Sequence, residues 1–225
     1  MTYKAVLMYS GGPDSTTLLF DLIEQGIEVD ALFLNFDEKG GDFARSVAAK
    51  FAGQIAFHEY DIAPFMRNFY GLPQPMLMRK AQGFGMCLEE DPYVQPFGSA
   101  IALTLAASWA VKHGSRDVYY AVHDGDSHFQ DNNRSYFELL SDLTRSCEGE
   151  QYEINFQTPY LGMTKAEVIS RGEMLGVDFE QTWSCAHTED IHCGECPPCI
   201  DRRMAFRLAE VVDPVQYASD LTGVK

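Results

Sequence analysis

Ser10-Gly11-Gly12-Pro13-Asp14-Ser15 follows the apolar run Ala5-Val6-Leu7-Met8-Tyr9 and precedes Thr16-Thr17-Leu18-Leu19-Phe20-Asp21-Leu22-Ile23. The run suits a buried strand, and Leu18, Leu19, Leu22 and Ile23 share one helical face, so the stretch reads strand, tight loop, helix. Two adjacent glycines open torsions closed to other residues and admit a ligand close to the main chain. The loop amides and the helix N-terminus carry partial positive charge, which makes a nest for an anion, foremost a phosphate. Ser10, Ser15 and Thr16 add hydroxyls, and Asp14 at the mouth suits a Mg²⁺ that shields polyphosphate charge. A Gly-Gly turn with Asp14 or Ser15 capping the helix would use the same residues. The position of the loop, at the end of the first strand of an α/β pattern, favours a ligand site. Without the spacing and Gly-Lys-Ser/Thr ending of a Walker loop, a kinase or GTPase is disfavoured.

Outward from the loop, Gln25-Gly26 stops the helix and Val29 to Leu34 reads as a second strand. Asp42 opens a helix with Phe43, Val47 and Phe51 inward, ending at Gly53, and Ile55 to Tyr60 is a third strand. This β-α-β-α-β order implies a parallel sheet with helices on both faces, an α/β fold of the Rossmann kind. From Pro64 to Pro96 no periodicity is visible, and a stretch of that length reads as a substrate loop, lid or interface. Gly98 to His113 is apolar on nearly all sides and predicts a largely buried helix; Val118 to Val122 predicts another strand. His123 and Asp126 follow at the strand end where ligands collect, and so are candidate substrate contacts. Asn133 to Cys147 predicts a helix burying Tyr136, Leu140, Leu143 and Cys147. Thr164-Lys165-Ala166-Glu167 is a capping box, with Val168, Ile169 and Leu175 inward and Gly176 closing the helix. Lys165 in the first turn opposes the helix dipole unless an anionic ligand neutralises it.

A net charge of −16 over 225 residues argues against direct nucleic-acid binding and is easier to reconcile with a small-molecule substrate or a basic protein partner. The chain opens on a strand without a signal peptide, and no apolar stretch is long enough to span a membrane, so a cytoplasmic protein is expected. Four of the six cysteines crowd near the end: Cys185, then Cys193-Gly194-Glu195-Cys196-Pro197-Pro198-Cys199. Four thiolates at such tight spacing fit a tetrahedral Zn²⁺ better than disulfides. An iron–sulfur cluster also uses four cysteines. Zn²⁺ is preferred because it would staple a segment with little core of its own. His187 and His192 lie close by and are read as bystanders, and Cys87 is unassigned.

Ser-Gly-Gly-x-Asp-Ser resembles the PP-loop of the ATP pyrophosphatase superfamily. Joined to the cysteine array, to Thr158-Pro159-Tyr160-Leu161, to Thr182-Trp183-Ser184-Cys185 and to Asp201-Arg202-Arg203-Met204-Ala205-Phe206, it resembles the 7-cyano-7-deazaguanine (preQ0) synthase family of queuosine biosynthesis. The resemblance implies a PP-loop ATP-binding domain over 1–180 and a zinc-binding lobe with its helix over 181–225. It implies ATP, Mg²⁺ and Zn²⁺ as cofactors, 7-carboxy-7-deazaguanine and ammonia as substrates, and a homodimer. Asp14, Ser15 and Lys165 become the catalytic candidates, Lys165 stabilising the departing pyrophosphate. Ser10, Gly11, Gly12, Asp14, Ser15, Thr16, Asn35, Phe36 and Lys165 become the nucleotide contacts, with Asp37 beside them. Arg134 joins His123 and Asp126 as a substrate contact, and Cys185, Cys193, Cys196 and Cys199 are the zinc ligands.

Two segments depart from the family. Val-Pro-Gly-Arg-Asn is replaced by Val94-Gln95-Pro96-Phe97-Gly98, and Ser-Gly-Tyr-Pro-Asp-Cys-Arg by a stretch running from Ser127 to Arg134 in which only Arg134 aligns. They motivate a second expectation: an enzyme that activates the deazaguanine carboxylate, passes it to another amine, such as one on a protein, and stops at the amide. A PP-loop tRNA-modifying enzyme and a non-catalytic nucleotide-binding subunit are the remaining alternatives.

Overall fold

The computed structural model describes residues 4–36, 39–70, 98–128, 131–186 and 190–219. Five parallel strands form one sheet: β1 (Lys4–Met8), β2 (Glu28–Asn35), β3 (Ile55–Asp61), β4 (Asp117–Tyr119) and β5 (Asn155–Gln157), in the order β3-β2-β1-β4-β5. Among the described residues seven α-helices connect or flank them: α1 (Pro13–Glu24), α2 (Gly40–Lys50), α3 (Ala63–Tyr70), α4 (Gly98–His113), α5 (Arg134–Arg145), α6 (Lys165–Met174) and α7 (Pro197–Leu208). The strand order reverses beside β1, and α/β sheets of this kind leave a crevice for ligands at such a reversal.

Alternation along the strands divides the core. Leu7, Val29 and Ala31 face Leu18, Leu19 and Leu22 of α1, Val47 of α2 and Val168 of α6. Val6, Leu32 and Val118 face Leu103, Ala106 and Ala110 of α4 and Phe137 of α5. The expected helices on both faces are therefore present, because successive strand side chains point to opposite sides. No helix among the described residues is long and apolar enough to cross a membrane.

Some local expectations are corrected. Residues from Ala63 form α3, so helix begins where aperiodic sequence was expected; the rest of that stretch, with Cys87, lies outside the described residues. Helix α4 is covered on one side only: Leu103, Ala106, Ala107 and Ala110 are buried while Leu105 is exposed, because the sheet reaches a single stripe of it. In α5 the buried pair is Phe137 and Ser141; Leu143 is 59% exposed and Cys147 is exposed, not core. Ser141 takes the inward place because its hydroxyl accepts a hydrogen bond from Phe156 N (3.2 Å), a polar role that apolar periodicity does not register. That bond lies against β5, a three-residue strand that the sequence reading did not include, and β4 ends at Tyr119 rather than Val122.

Candidate active site and metal centre

The loop between β1 and α1 depends on close backbone approach. Gly11 has φ +75, and a Cβ there would lie 2.2 Å from Gly40 O; a Cβ on Gly40 would lie 2.2 Å from Ser10 O. Only glycine fits at either point, so the loop and the start of α2 touch main chain to main chain. Gly12 is the N-cap of α1 and no side chain caps it, so the Asp14 and Ser15 turn is not the self-capped alternative. Pro13 at the first helical position has no N–H to satisfy, and the first-turn amides are left for an anion. Ser15 Oγ donates to Gly12 O (3.2 Å) and lies 3.0 Å from Ser10 Oγ, while Gly12 N donates to Ser10 Oγ (3.3 Å). Thr16 is turned inward, its hydroxyl 3.3 Å from Tyr9 Oη. Beside the loop is a cavity of about 260 Å³ bordered by Ser10, Asp14, Ser15, Phe33, Phe36 and Tyr120. Asn35 is the last residue of β2 and does not border it. Asp37 lies outside the described residues.

Lys165 is the first residue of α6, set by the Thr164 capping box: Thr164 Oγ1 accepts from Glu167 N (3.2 Å), and Thr164 N donates to Glu167 Oε2 (2.7 Å). Its ammonium, 14% exposed, reaches Asp14 Oδ2 at 3.2 Å and Asp201 Oδ2 of α7 at 2.7 Å. Burial by itself would lower this ammonium, yet Asp14 and Asp201, with Asp126 behind them, raise it above the ordinary lysine range. Anionic side chains thus supply the neutralising charge that its place in the first turn calls for. Asp14 Oδ1 is buried with no hydrogen-bond partner among the described residues, an acceptor placed at the loop mouth and suited to a hard cation such as Mg²⁺.

Asp126 lies in a short 3₁₀ turn, Asp124–His128, beyond β4. Its Oδ2 accepts from His123 N (3.1 Å) and sits 3.5 Å from His123 Nε2; burial holds its carboxyl above the usual carboxylate range. The His123 ring is buried, with Nδ1 accepting from Gly125 N (3.1 Å). These two expected substrate contacts therefore bind each other beside the Lys165 group. Arg134 is elsewhere, on a separate cavity of about 410 Å³ between α5 and β5. Asp201 is a further member of this group whose signal in the sequence is slight: it lies two residues after Cys199, one turn into α7.

The four cysteines converge, their sulfurs all within 4.8 Å of one another. Cys185 and Cys196 Sγ are 3.9 Å apart, as are Cys193 and Cys199 Sγ. Four thiolates about 2.3 Å from a tetrahedral Zn²⁺ stand about 3.8 Å apart, so the set fits the metal, whereas a disulfide needs about 2.05 Å. Backbone N–H groups of Cys193 and Cys196 donate to Cys185 and Cys193 sulfurs, each at 3.3 Å, stabilising thiolates. Without a cation, sharing a proton with Cys185 pushes the Cys196 thiol up to about 12; a bound cation reverses that. His192 is no ligand in this arrangement: its Nε2 accepts from Ser184 N (3.2 Å) and its ring packs 4.2 Å from Trp183. His187 lies outside the described residues.

The two sites are joined by the Thr182–Cys185 segment. Trp183 N donates to Gly11 O (2.9 Å), and Arg202 of α7, fully buried, donates to Thr182 Oγ1 (2.8 Å), Phe179 O (2.9 Å) and the Asp213 carboxylate (3.0 Å). The glycine loop is thereby fastened to the helix whose first turn carries Cys199.

The family model for the queuosine biosynthesis protein QueC matches residues 4–210. The 7-cyano-7-deazaguanine synthase of Hahella chejuensis (strain KCTC 2396) is 33% identical over 224 residues, covering 98% of this chain and 95% of that one. The protein of the same name from Methanoregula boonei (strain DSM 21154 / JCM 14090 / 6A8) is 34% identical over 219 residues, covering 95% and 99%. Among solved structures, NMN synthetase from Francisella tularensis superposes with a TM-score of 0.50 at 12% identity, over 94% of this chain and 78% of that one, a likeness of fold.

Proposed function

This chain belongs to the queuosine biosynthesis protein QueC family, and from that premise we propose that it converts 7-carboxy-7-deazaguanine, ammonia and ATP into 7-cyano-7-deazaguanine. A carboxylate is a poor electrophile and needs a leaving group. In this reading its oxygen attacks the α-phosphate of ATP, the bond to the β-phosphate breaks, and pyrophosphate leaves. Ammonia then adds to the acyl-adenylate carbonyl and expels AMP, giving the amide. A second adenylation, at the amide oxygen, followed by loss of AMP and a proton, yields the nitrile.

The chain's own residues carry the steps as follows. The Ser10–Ser15 loop and the first-turn amides of α1 bind the phosphates, and glycine at position 11 lets the backbone close on them. Phe36 borders the nucleotide. Lys165 stabilises charge developing on the departing pyrophosphate, held charged by its carboxylate neighbours. Asp14 would hold Mg²⁺, which supplies charge neutralisation where three carboxylates otherwise oppose a polyanion. Cys185, Cys193, Cys196 and Cys199 would hold Zn²⁺ in a closed structural site. His123 and Asp126 stand beside the Lys165 group as substrate contacts in this reading, with Asp126 adding negative charge near Lys165, and Arg134 takes no part. The domain reading, an ATP-binding unit over 1–180 with a zinc lobe over 181–225, belongs to this proposal.

The observation that carries the reading is the meeting of Lys165 with Asp14 of the phosphate loop at 3.2 Å, a cation brought to the glycine bend from far along the chain. The test is incubation of the purified protein with ATP, Mg²⁺, ammonium and 7-carboxy-7-deazaguanine, followed by mass spectrometry. Nitrile is the expected product. Amide alone, or transfer to an added amine, would replace the last step; no release of pyrophosphate would end the reading.

A further inference from the structure

We propose that Asp201 is the positioning residue for Lys165, a role that rests on the reading of Lys165 as the cation of the pyrophosphate-releasing site. An ammonium has three N–H donors. Asp201 Oδ2 at 2.7 Å and Asp14 Oδ2 at 3.2 Å take two of them, and the third is left for a phosphate oxygen. Because the shorter contact is to Asp201, the ammonium is drawn away from Asp14. A lysine without Asp201 would collapse onto the Asp14 carboxylate, its remaining close anionic partner, and compete for the group read as the Mg²⁺ holder.

The geometry is that of a fixed support rather than a chance surface pair. The Lys165 backbone is set by the Thr164 capping box at the start of α6. Asp201 stands between Cys199, whose sulfur belongs to the cysteine cluster, and Arg202, which is fully buried and bound to Thr182, Phe179 and Asp213. The α7 backbone on either side of Asp201 is thereby anchored, while its own side chain is 50% exposed and reaches out to Lys165. Its removal should disturb orientation more than stability, since half-exposed ion pairs contribute little to folding.

The experiment compares Asp201→Ala, Asp201→Glu and Lys165→Ala, each measured for pyrophosphate release with 7-carboxy-7-deazaguanine, for ATP binding by calorimetry, for zinc per chain and for melting temperature. Expected for Asp201→Ala is a kcat about tenfold lower, with ATP affinity within about threefold of the parent and zinc and melting unchanged. Asp201→Glu, which restores the carboxylate on a longer arm, should recover most of the lost kcat. If Lys165→Ala is inactive while Asp201→Ala turns over like the parent, the positioning role fails and the reading of Lys165 survives. If Lys165→Ala itself retains full turnover, that reading fails and takes the inference with it. A loss in Asp201→Ala that comes with lost zinc or lower melting and is not recovered by Asp201→Glu would assign Asp201 to structure alone and overturn the proposal.

Discussion

The cysteine centre and the Lys165 centre are built in opposite ways. Cys185, Cys193, Cys196 and Cys199 come from one stretch of chain, with Gly194 at φ +82 in the turn between Cys193 and Cys196, and their sulfurs gather within 4.8 Å of one another. Asp14, Lys165 and Asp201 come from the starts of three helices that meet only because α6 packs between α1 and α7. A site of local origin depends on its ligand for stability; a site of distant origin depends on the packing of the whole domain. The first should fail by losing a metal, and the second by losing alignment.

The largest effect is expected at the local site. Cys196→Ser leaves three thiolates, and zinc measured by atomic absorption should fall from about one per chain toward none, with melting lowered by about 5 °C or more. Undiminished zinc would break the comparison at its root. Next is Asp14→Ala at the assembled site, where pyrophosphate release should drop about a hundredfold or more while circular dichroism is unchanged. Equal turnover would remove Asp14 from its assigned role. Gly11→Ala tests the loop that both regions lean on: the positive φ and the overlap with Gly40 O should cost about 2 kcal/mol or more, read from the urea midpoint, and abolish the heat of ATP binding. Thr164→Ala removes one half of the capping box that holds Lys165 and should cost about 1 kcal/mol in the same denaturation. At the small end, Leu143→Glu and Cys147→Ser, on the exposed side of the chain, should shift stability by less than about 0.5 kcal/mol.

How legible each region was follows from the same contrast. The glycine loop between strand and helix, the first three strands and the capping box could be read because each is a short local pattern whose parts touch one another. The cysteine array could be read as a cluster able to hold a metal because its close spacing in the chain brings the four sulfurs within reach of one another. The inward Ser141 of α5 could not be, since its place is decided by a bond to Phe156 N rather than by apolar periodicity. Strand β5 is three residues long and is held in place by β4, which leaves too little pattern to detect. Arg134 matches the family segment by residue type, and the fold puts it on a cavity along α5 and β5, away from Lys165.

The amino-acid order by itself determined the α/β class, the glycine bend at residues 10–15, the helix start at Lys165 and the grouping of the four thiols, because all of these rest on neighbours in the chain. Only the tertiary structure decided that the Lys165 ammonium lies between Asp14 and Asp201, and that Arg202 ties the cysteine helix to Thr182, next to the Trp183 that bonds Gly11 of the loop. Those contacts join residues that are not neighbours in the chain, and no local preference encodes them; they exist because α6 packs against both α1 and α7, which fixes where the helix starts point.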